Sequence, residues 1–401
     1  LNMQKRKKNL SKQIILIPSD LPWNWTADYY NQTINILARN NIVIVALMSE
    51  MTSLKEIILQ RKCPVIFQKK SHNIFFYKPI YIIPLRRFHI VEKTNKLFNL
   101  IMLWIIFILF FLKYKHDRSW VWIFSSELVN IAKLFKGTGR IIFDCVDYHY
   151  QDTGITKRNK KICKSQLSNL LTISHYVFVN SKTLYSLYHP IRKDIVLVPQ
   201  GCFIPNTHKH NEHHVLNIIK PIIGYQGGIN NRLDYSLLYS IARSHQELLF
   251  VLWGPVQDEK LFHKNKLILF NKLKQLHNII IGQSNTKDEI YSVVGQFNVA
   301  IIPYDINYEF NKYCYPMKLF EYFYMGKPVI STPIKELKRF TRFVKIGLTP
   351  EEWKKYIRQL LSKPWPNKYK IEQKKLAVEN SWEHKINTIT SFITSDSDFK
   401  L

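Results

Sequence analysis

Acidic side chains are scarce in this chain: 29 Asp+Glu stand against 58 Lys+Arg in 401 residues, a formal net charge of +29. Such an imbalance points to a polyanionic neighbour, which can be nucleic acid, an anionic membrane face or a phosphate-bearing substrate. Cysteine is sparse as well. Cys63, Cys145, Cys163, Cys202 and Cys314 are widely spaced and form no C-x-x-C pair, so neither a disulfide framework nor a zinc site is implied and a reducing cytosol fits best. Only 12 Gly and 17 Pro are present, which excludes collagen-like and low-complexity chains. No period in the solenoid range is visible. Long apolar runs are missing too. Residues 100–112 give 13 uninterrupted apolar positions, against the ~20 a helix needs to cross a bilayer. That run is expected to be a buried or membrane-apposed helix rather than a span. The apolar stretch Gln13–Pro18 is too short for a signal-peptide core, so no export signal is expected.

What is present is a hydrophobic content of 46%, enough to fill the cores of two or three domains. Short, nearly all-apolar runs alternate with helix-length segments. In the first half the runs are 14–18, 42–47, 120–124, 140–146, 176–180 and 195–199, with helices expected over 27–39 and 127–135. In the second they are 221–225, 250–253, 278–281, 299–303 and 327–331, with helices over 233–242, 258–276, 286–295 and 316–325. Strands buried on both faces look like this, and the alternation predicts doubly wound α/β domains. The polar, His-rich stretch 206–220 reads as a linker, with His208, His210, His213 and His214 solvated rather than holding a metal. Helical patterns follow at 349–361 and 368–394, separated by Lys363-Pro-Trp-Pro366. The domain plan is therefore 1–205, a linker at 206–220, a second domain at 221–365 and a C-terminal helix at 366–401. Charge divides unevenly: residues 1–210 carry 31 basic and 11 acidic side chains, residues 211–401 carry 27 and 18.

Two stretches concentrate the chemistry. In Ile222-Ile-Gly-Tyr-Gln-Gly-Gly-Ile-Asn-Asn-Arg232-Leu-Asp234 a strand runs through a Gly-Gly turn into a helix. Backbone amides there can approach a phosphate because no Cβ intervenes, and the guanidinium fork of Arg232 suits a diphosphate. Asp234 is placed to cap the helix. The same glycines would also serve a tight turn and nothing more. The second stretch, Tyr315-Pro-Met-Lys-Leu-Phe-Glu321, opens a helix that Gly326 ends. Lys318 and Glu321 fall on one face of it, a lysine suited to a pyrophosphate and a carboxylate suited to ribose hydroxyls, or simply a surface ion pair.

Taken in order, the Gly-Gly-Ile-x-x-Arg-Leu-Asp turn, Phe250-Val-Leu-Trp-Gly-Pro255, Pro-Met-Lys-Leu-Phe-Glu-Tyr and Gly-Lys-Pro-Val-Ile-Ser-Thr resemble GT-B glycosyltransferases of the group 1 or family 4-like branch that builds bacterial surface polysaccharide. The resemblance is strong over residues 220–340 and weaker elsewhere. It implies two Rossmann-like domains facing across a cleft, with C-terminal helices, the second domain gripping a nucleotide-sugar and the first presenting the acceptor. Gly227, Gly228 and Arg232 would then meet the diphosphate, Glu321 the ribose or sugar hydroxyls, and Pro316, Met317 and Lys318 would line the donor pocket. Many relatives place a second Glu eight positions before the helix Glu, where this chain has Tyr313. The general base is sought at the end of the strand Phe143-Asp-Cys-Val-Asp-Tyr-His149, with Asp147 first and His149 second, although strand-end acids are also often helix caps. The expected donor is a nucleotide-diphosphate sugar, with no cofactor and no metal, since Arg and Lys can replace a divalent ion in the family.

The acceptor expected is lipid-linked or glycan. The net +20 of the first half suits a peripheral enzyme on the cytoplasmic face of an inner membrane. Other readings are an epimerase of the same fold, a non-catalytic nucleotide-binding relative and, least supported because no helix-turn-helix, zinc or RNP signature is present, a nucleic-acid binder.

Overall fold

The computed structural model describes residues 12–23, 28–53, 66–83, 88–114, 119–148, 157–205, 220–284 and 287–395. The chain divides into two compact units, Leu1–Pro199 with Lys385–Leu401, and Gln200–His384. Most of the expected linker, residues 206–219, lies outside the described residues.

The first unit contains β1 (Ile14–Ser19), α1 (Asp28–Leu37), β2 (Ile42–Leu47), β3 (Thr52–Ser53), β4 (Phe67–Lys69), β5 (Ile74–Tyr77), β6 (Ile80–Tyr81), α2 (His89–Tyr114), β7 (Ser119–Ile123), α3 (Val129–Phe135), β8 (Arg140–Cys145), α4 (Lys157–Ile173), β9 (Tyr176–Val179), α5 (Lys182–Tyr188) and β10 (Val196–Leu197). Its main sheet runs β10-β9-β8-β7-β1-β2-β5-β4. Every pairing in it is parallel except β4 with β5. β1 and β7 are buried along their whole length, as their β-branched and aromatic composition requires of strands covered on both faces. Trp120, Trp122 and Phe124 fill the core beside Ile15, Ile17 and Phe178. The apolar run at 100–112 sits in a longer helix than its composition suggested, α2, whose inward stripe is Asn95, Asn99, Leu103 and Phe107.

The second unit contains β11 (Ile222–Gln226), α6 (Tyr235–Ser244), β12 (Leu249–Trp253), α7 (Lys264–Lys274), β13 (Ile279–Gly282), α8 (Lys287–Gly295), β14 (Val299–Ile302), α9 (Glu309–Tyr313), α10 (Lys318–Tyr324), β15 (Val329–Ser331), β16 (Val344–Ile346), α11 (Pro350–Leu361) and α12 (Asn367–Glu379). Its sheet runs β13-β12-β11-β14-β15-β16, parallel throughout. Strand order reverses beside β11, so the loops after β11 and β14 meet at the switch point where doubly wound sheets bind ligands.

The expected single helix over the C-terminal residues is corrected: α12 stops and α13 (Trp382–Ser395) begins anew. The backbone at 380–382 leaves the helical pattern to pair with Cys202, whose N–H donates to the Asn380 carbonyl at 2.8 Å and whose carbonyl accepts from the Trp382 N–H at 3.1 Å. From Lys385 onward α13 belongs to the first unit, where Ile386, Ile389 and Ile393 join the core. Within that unit Lys385 Nζ meets Asp144 Oδ1 at 2.9 Å, the two side chains being 1% and 0% exposed.

Candidate functional site

The donor-side residues named from the sequence converge in the second unit. β11 ends at Gln226, where its N–H donates to the buried Tyr322 hydroxyl at 2.8 Å. The chain then turns at Gly227, whose φ is +135°, a conformation open to glycine and strained for any other residue. A Cβ at this position would lie 2.8 Å from Lys318 Cε and 3.1 Å from its Nζ. The glycine is therefore what admits the lysine of α10 to the turn. Gly254, at the end of β12 with φ +154°, plays the matching part: a Cβ there would sit 2.2 Å from the Gly227 carbonyl oxygen. The two strand ends can approach this closely because Gly254 has no side chain to meet the Gly227 carbonyl. Gly228 follows, and its carbonyl accepts from the Tyr225 hydroxyl at 3.0 Å.

Arg232 is gripped on several sides. Its backbone N–H donates to Asn230 Oδ1 at 3.0 Å and its Nε donates to Asn311 Oδ1 at 2.9 Å. The guanidinium lies over the rings of Tyr304 and Phe310, 4.5 and 4.6 Å from their centroids. Asn311 also donates to the Arg232 and Asp305 carbonyls at 3.0 and 2.8 Å. Lys266 ties the same turn together, with Nζ 2.8 Å from Asp305 Oδ2 and 3.0 Å from the Leu233 carbonyl. Asp234 caps α6 as expected, accepting from the Leu237 N–H at 3.0 Å; burial pushes its carboxyl upward.

Lys318 opens α10, one residue past Met317 and two past the buried Pro316. Its Nζ donates to the Tyr304 hydroxyl and stands 4.7 Å from that ring's centroid and 5.2 Å from that of Tyr225. Among the described residues Lys318 forms no ion pair. Tyr304 is thus a shared neighbour of both cations, Arg232 on its ring and Lys318 on its ring and hydroxyl. Glu321 lies one turn along α10, half-buried, and with burial its charge raises the Tyr322 phenol. Tyr313, in the place of a second Glu, is half-buried at the end of α9.

Sequence reasoning missed Tyr304, Phe310, Asn311 and Lys266. Tyr304 was within reach, since it comes two residues after the all-apolar β14 in Val-Ala-Ile-Ile-Pro-Tyr, the region in which parallel strands deliver site residues. Asn311 and Lys266 come from elements distant in sequence, and no local pattern marks them.

The residues expected on the acceptor side belong to the first unit. Asp147 is half-buried two residues beyond β8, and its carbonyl accepts from Cys145 Sγ at 3.5 Å. The Asn180 amide donates to the neighbouring Val146 carbonyl, fixing this turn. Burial first, and the Asp147 charge second, push the Tyr29 phenol upward. His149 lies outside the described residues. Asp144, from the same motif, is committed to Lys385; burial raises its carboxyl in spite of that partner. A cavity of about 480 Å³ also lies in this unit, with a mixed wall that includes Met48, Met51, Leu100 and Ile131 beside Lys96 and Glu127. The described residues contain no cluster of His, Cys, Asp and Glu that would hold a metal ion.

Solved structures share this architecture. Sucrose-phosphate synthase from Thermosynechococcus elongatus superposes with a TM-score of 0.69 at 14% identity, over 96% of this chain and 98% of that one. Anabaena HepE in complex with UDP gives 0.61 at 10% identity, over 96% and 100%. The E. coli trehalose-6-phosphate structure bound with UDP-2-fluoro glucose gives 0.62 at 9%, over 96% and 99%. The chain has the GT-B fold. Identities this low carry the GT-B fold and not the substrate. No family model matches the sequence. One curated relative is 26% identical over 121 residues, a Bacillus subtilis (strain 168) protein provisionally named teichuronic acid biosynthesis glycosyltransferase TuaH. That similarity spans 30% of this chain and 29% of TuaH.

Proposed function

We propose that the protein is a glycosyltransferase that moves a sugar from a nucleotide-diphosphate sugar to a lipid-linked or glycan acceptor in cell-surface polysaccharide synthesis. The observation that carries this reading is the meeting of Arg232 and Lys318 at Tyr304, beside a turn where Gly227 and Gly254 leave the backbone bare. Two cations gathered around one tyrosine favour a dianionic group, and a diphosphate supplies it. HepE, with the same fold, is known in complex with UDP, and the TuaH similarity lends weight to a surface polysaccharide as the product.

In the reaction the bond between the sugar C1 and the diphosphate oxygen breaks, and an acceptor hydroxyl oxygen bonds to C1. Arg232 and Lys318 stabilise the charge that grows on the departing diphosphate. Glu321 accepts hydrogen bonds from hydroxyls of the ribose or sugar, while Pro316 and Met317 shape the pocket. Asp147 takes the acceptor proton, with His149 the second choice for that role. Neither step calls for a metal or cofactor from this chain. The positive charge of the first unit favours a position at the cytoplasmic face of an inner membrane, where a lipid-borne acceptor would be reached.

Incubation of the full chain with radiolabelled UDP- and GDP-sugars, with and without membranes, tests the reading. Label entering the lipid or glycan fraction with release of the nucleoside diphosphate is the expected outcome. An altered free nucleotide-sugar would mean epimerisation. Nucleotide binding without any turnover would overturn the enzyme assignment and give Tyr313 a simple meaning.

A further inference from the structure

The first half of helix α2 is built with its polarity reversed. Its inward face in the first half is polar: Asn95 and Asn99 are 1% and 0% exposed. Asn99 accepts from the Ile80 N–H and the Tyr77 hydroxyl, both at 2.9 Å, and donates to the Ile80 carbonyl at 2.7 Å. Asn95 accepts from the Ile82 N–H at 2.9 Å and donates to the Ile83 carbonyl at 3.0 Å. Its outward face is apolar, with Leu97, Ile101, Trp104, Ile105 and Leu112 between 36% and 64% exposed. In a water-facing helix the stripes are arranged the other way. The asparagines fix the rotation of the helix, so the apolar stripe cannot turn inward.

The second half is fastened too. Phe107 meets Phe135 of α3 at 4.9 Å, and Phe110 meets Phe67 of β4 and Phe75 of β5 at 5.0 and 4.9 Å. By length and composition alone α2 is long and apolar enough to cross a bilayer. A helix fastened to a globular unit along both halves offers lipid only its outer side, however. The stripe from Leu97 to Leu112 is about 22 Å long at 1.5 Å per residue, the footprint of an interfacial helix lying in the plane of a leaflet.

We propose that the outer face of α2 seats in the leaflet of an anionic lipid membrane. Charge decides between lipid and a second copy of the chain. The single acid of α2, Glu92, is taken by Lys96 at 2.6 Å. Lys93 and Lys113 are exposed on the helix, and Lys69 and Lys70 are exposed at the edge strand whose Phe67 touches Phe110. Pairing two copies about this face would bring like charges together, whereas an anionic leaflet complements them. The proposal deepens the membrane location put forward above and rests on it only there, because its test needs neither donor nor turnover. The cavity beside α2, with Leu100 in its wall, would then open close to the headgroup layer.

Sedimentation of the full chain with phosphatidylglycerol-containing vesicles and with pure phosphatidylcholine vesicles tests it. Binding to the anionic vesicles is expected, weakened by salt, and reduced about tenfold or more by the combined Leu97→Gln, Ile101→Gln, Ile105→Gln and Leu112→Gln substitutions. These exposed changes should leave the melting temperature and nucleoside-diphosphate binding as they were. As a second readout, brominated lipid should quench tryptophan fluorescence less in Trp104→Phe than in the unaltered protein. Equal vesicle binding by the fourfold variant, or none by the unaltered chain, overturns the proposal. So does a dimer in solution that the same substitutions dissolve, since a second copy would then be the occupant. Vesicle binding with no sugar transfer would sink the glycosyltransferase reading and leave this one standing.

Discussion

At the scale of single residues, the proposed donor site depends on what is missing as much as on what is present. Lys318 reaches the turn after β11 only because Gly227 has no side chain. In Gly227→Ala the new methyl would displace the lysine, and the backbone would be held at a φ that costs about 1–3 kcal/mol for a non-glycine residue. A lower melting temperature together with loss of nucleoside-diphosphate binding is expected, measured by thermal shift with and without ligand. Retained binding would show that Lys318 does not act at the turn. Arg232 and Lys318 could be named from sequence because strand, glycines and helix are contiguous there. Tyr304, Phe310 and Asn311 hold the guanidinium in place but belong to the stretch from the end of β14 into α9, far along the chain, and only folding brings them together.

At the scale of elements, the all-apolar strands were legible, since a parallel sheet covered on both faces leaves little choice of residue. What composition hid was the use of the C-terminal helices. The stretch 368–394 reads as one helical pattern, yet the backbone near Asn380 is claimed by Cys202, and α13 delivers Lys385 to Asp144 in the first unit. Asp144 had looked like part of an active-site motif; it is a buried anchor. Removing one partner of such a pair strands a charge, so Lys385→Met is expected to cost about 3–5 kcal/mol. Asp144→Leu combined with Lys385→Met should recover most of that loss. Denaturant unfolding of the two variants checks it, and an equal loss in both would show that packing around α13, not the charge, is what matters. The same helix-level view explains α2, whose exposed apolar stripe would be an error in a freely solvated protein and is consistent with a helix made to rest on lipid.

At the scale of the whole molecule, the charge excess has two addresses. In the first unit it borders the apolar face of α2, and in the second it includes the pair of cations around Tyr304. The GT-B fold was foreseeable from the joint order of the motifs, whereas the sugar, base and acceptor depend on pocket shape that no motif encodes. The proposed diphosphate grip is the most direct point of attack. Titration calorimetry of the full chain with UDP and UMP, and with GDP and GMP, is the deciding measurement. For at least one base the diphosphate should bind about tenfold or more tightly than the monophosphate, and that advantage should collapse in Arg232→Ala and in Lys318→Met. Equal affinity for diphosphate and monophosphate with both bases, or an advantage that survives both substitutions, would contradict the account.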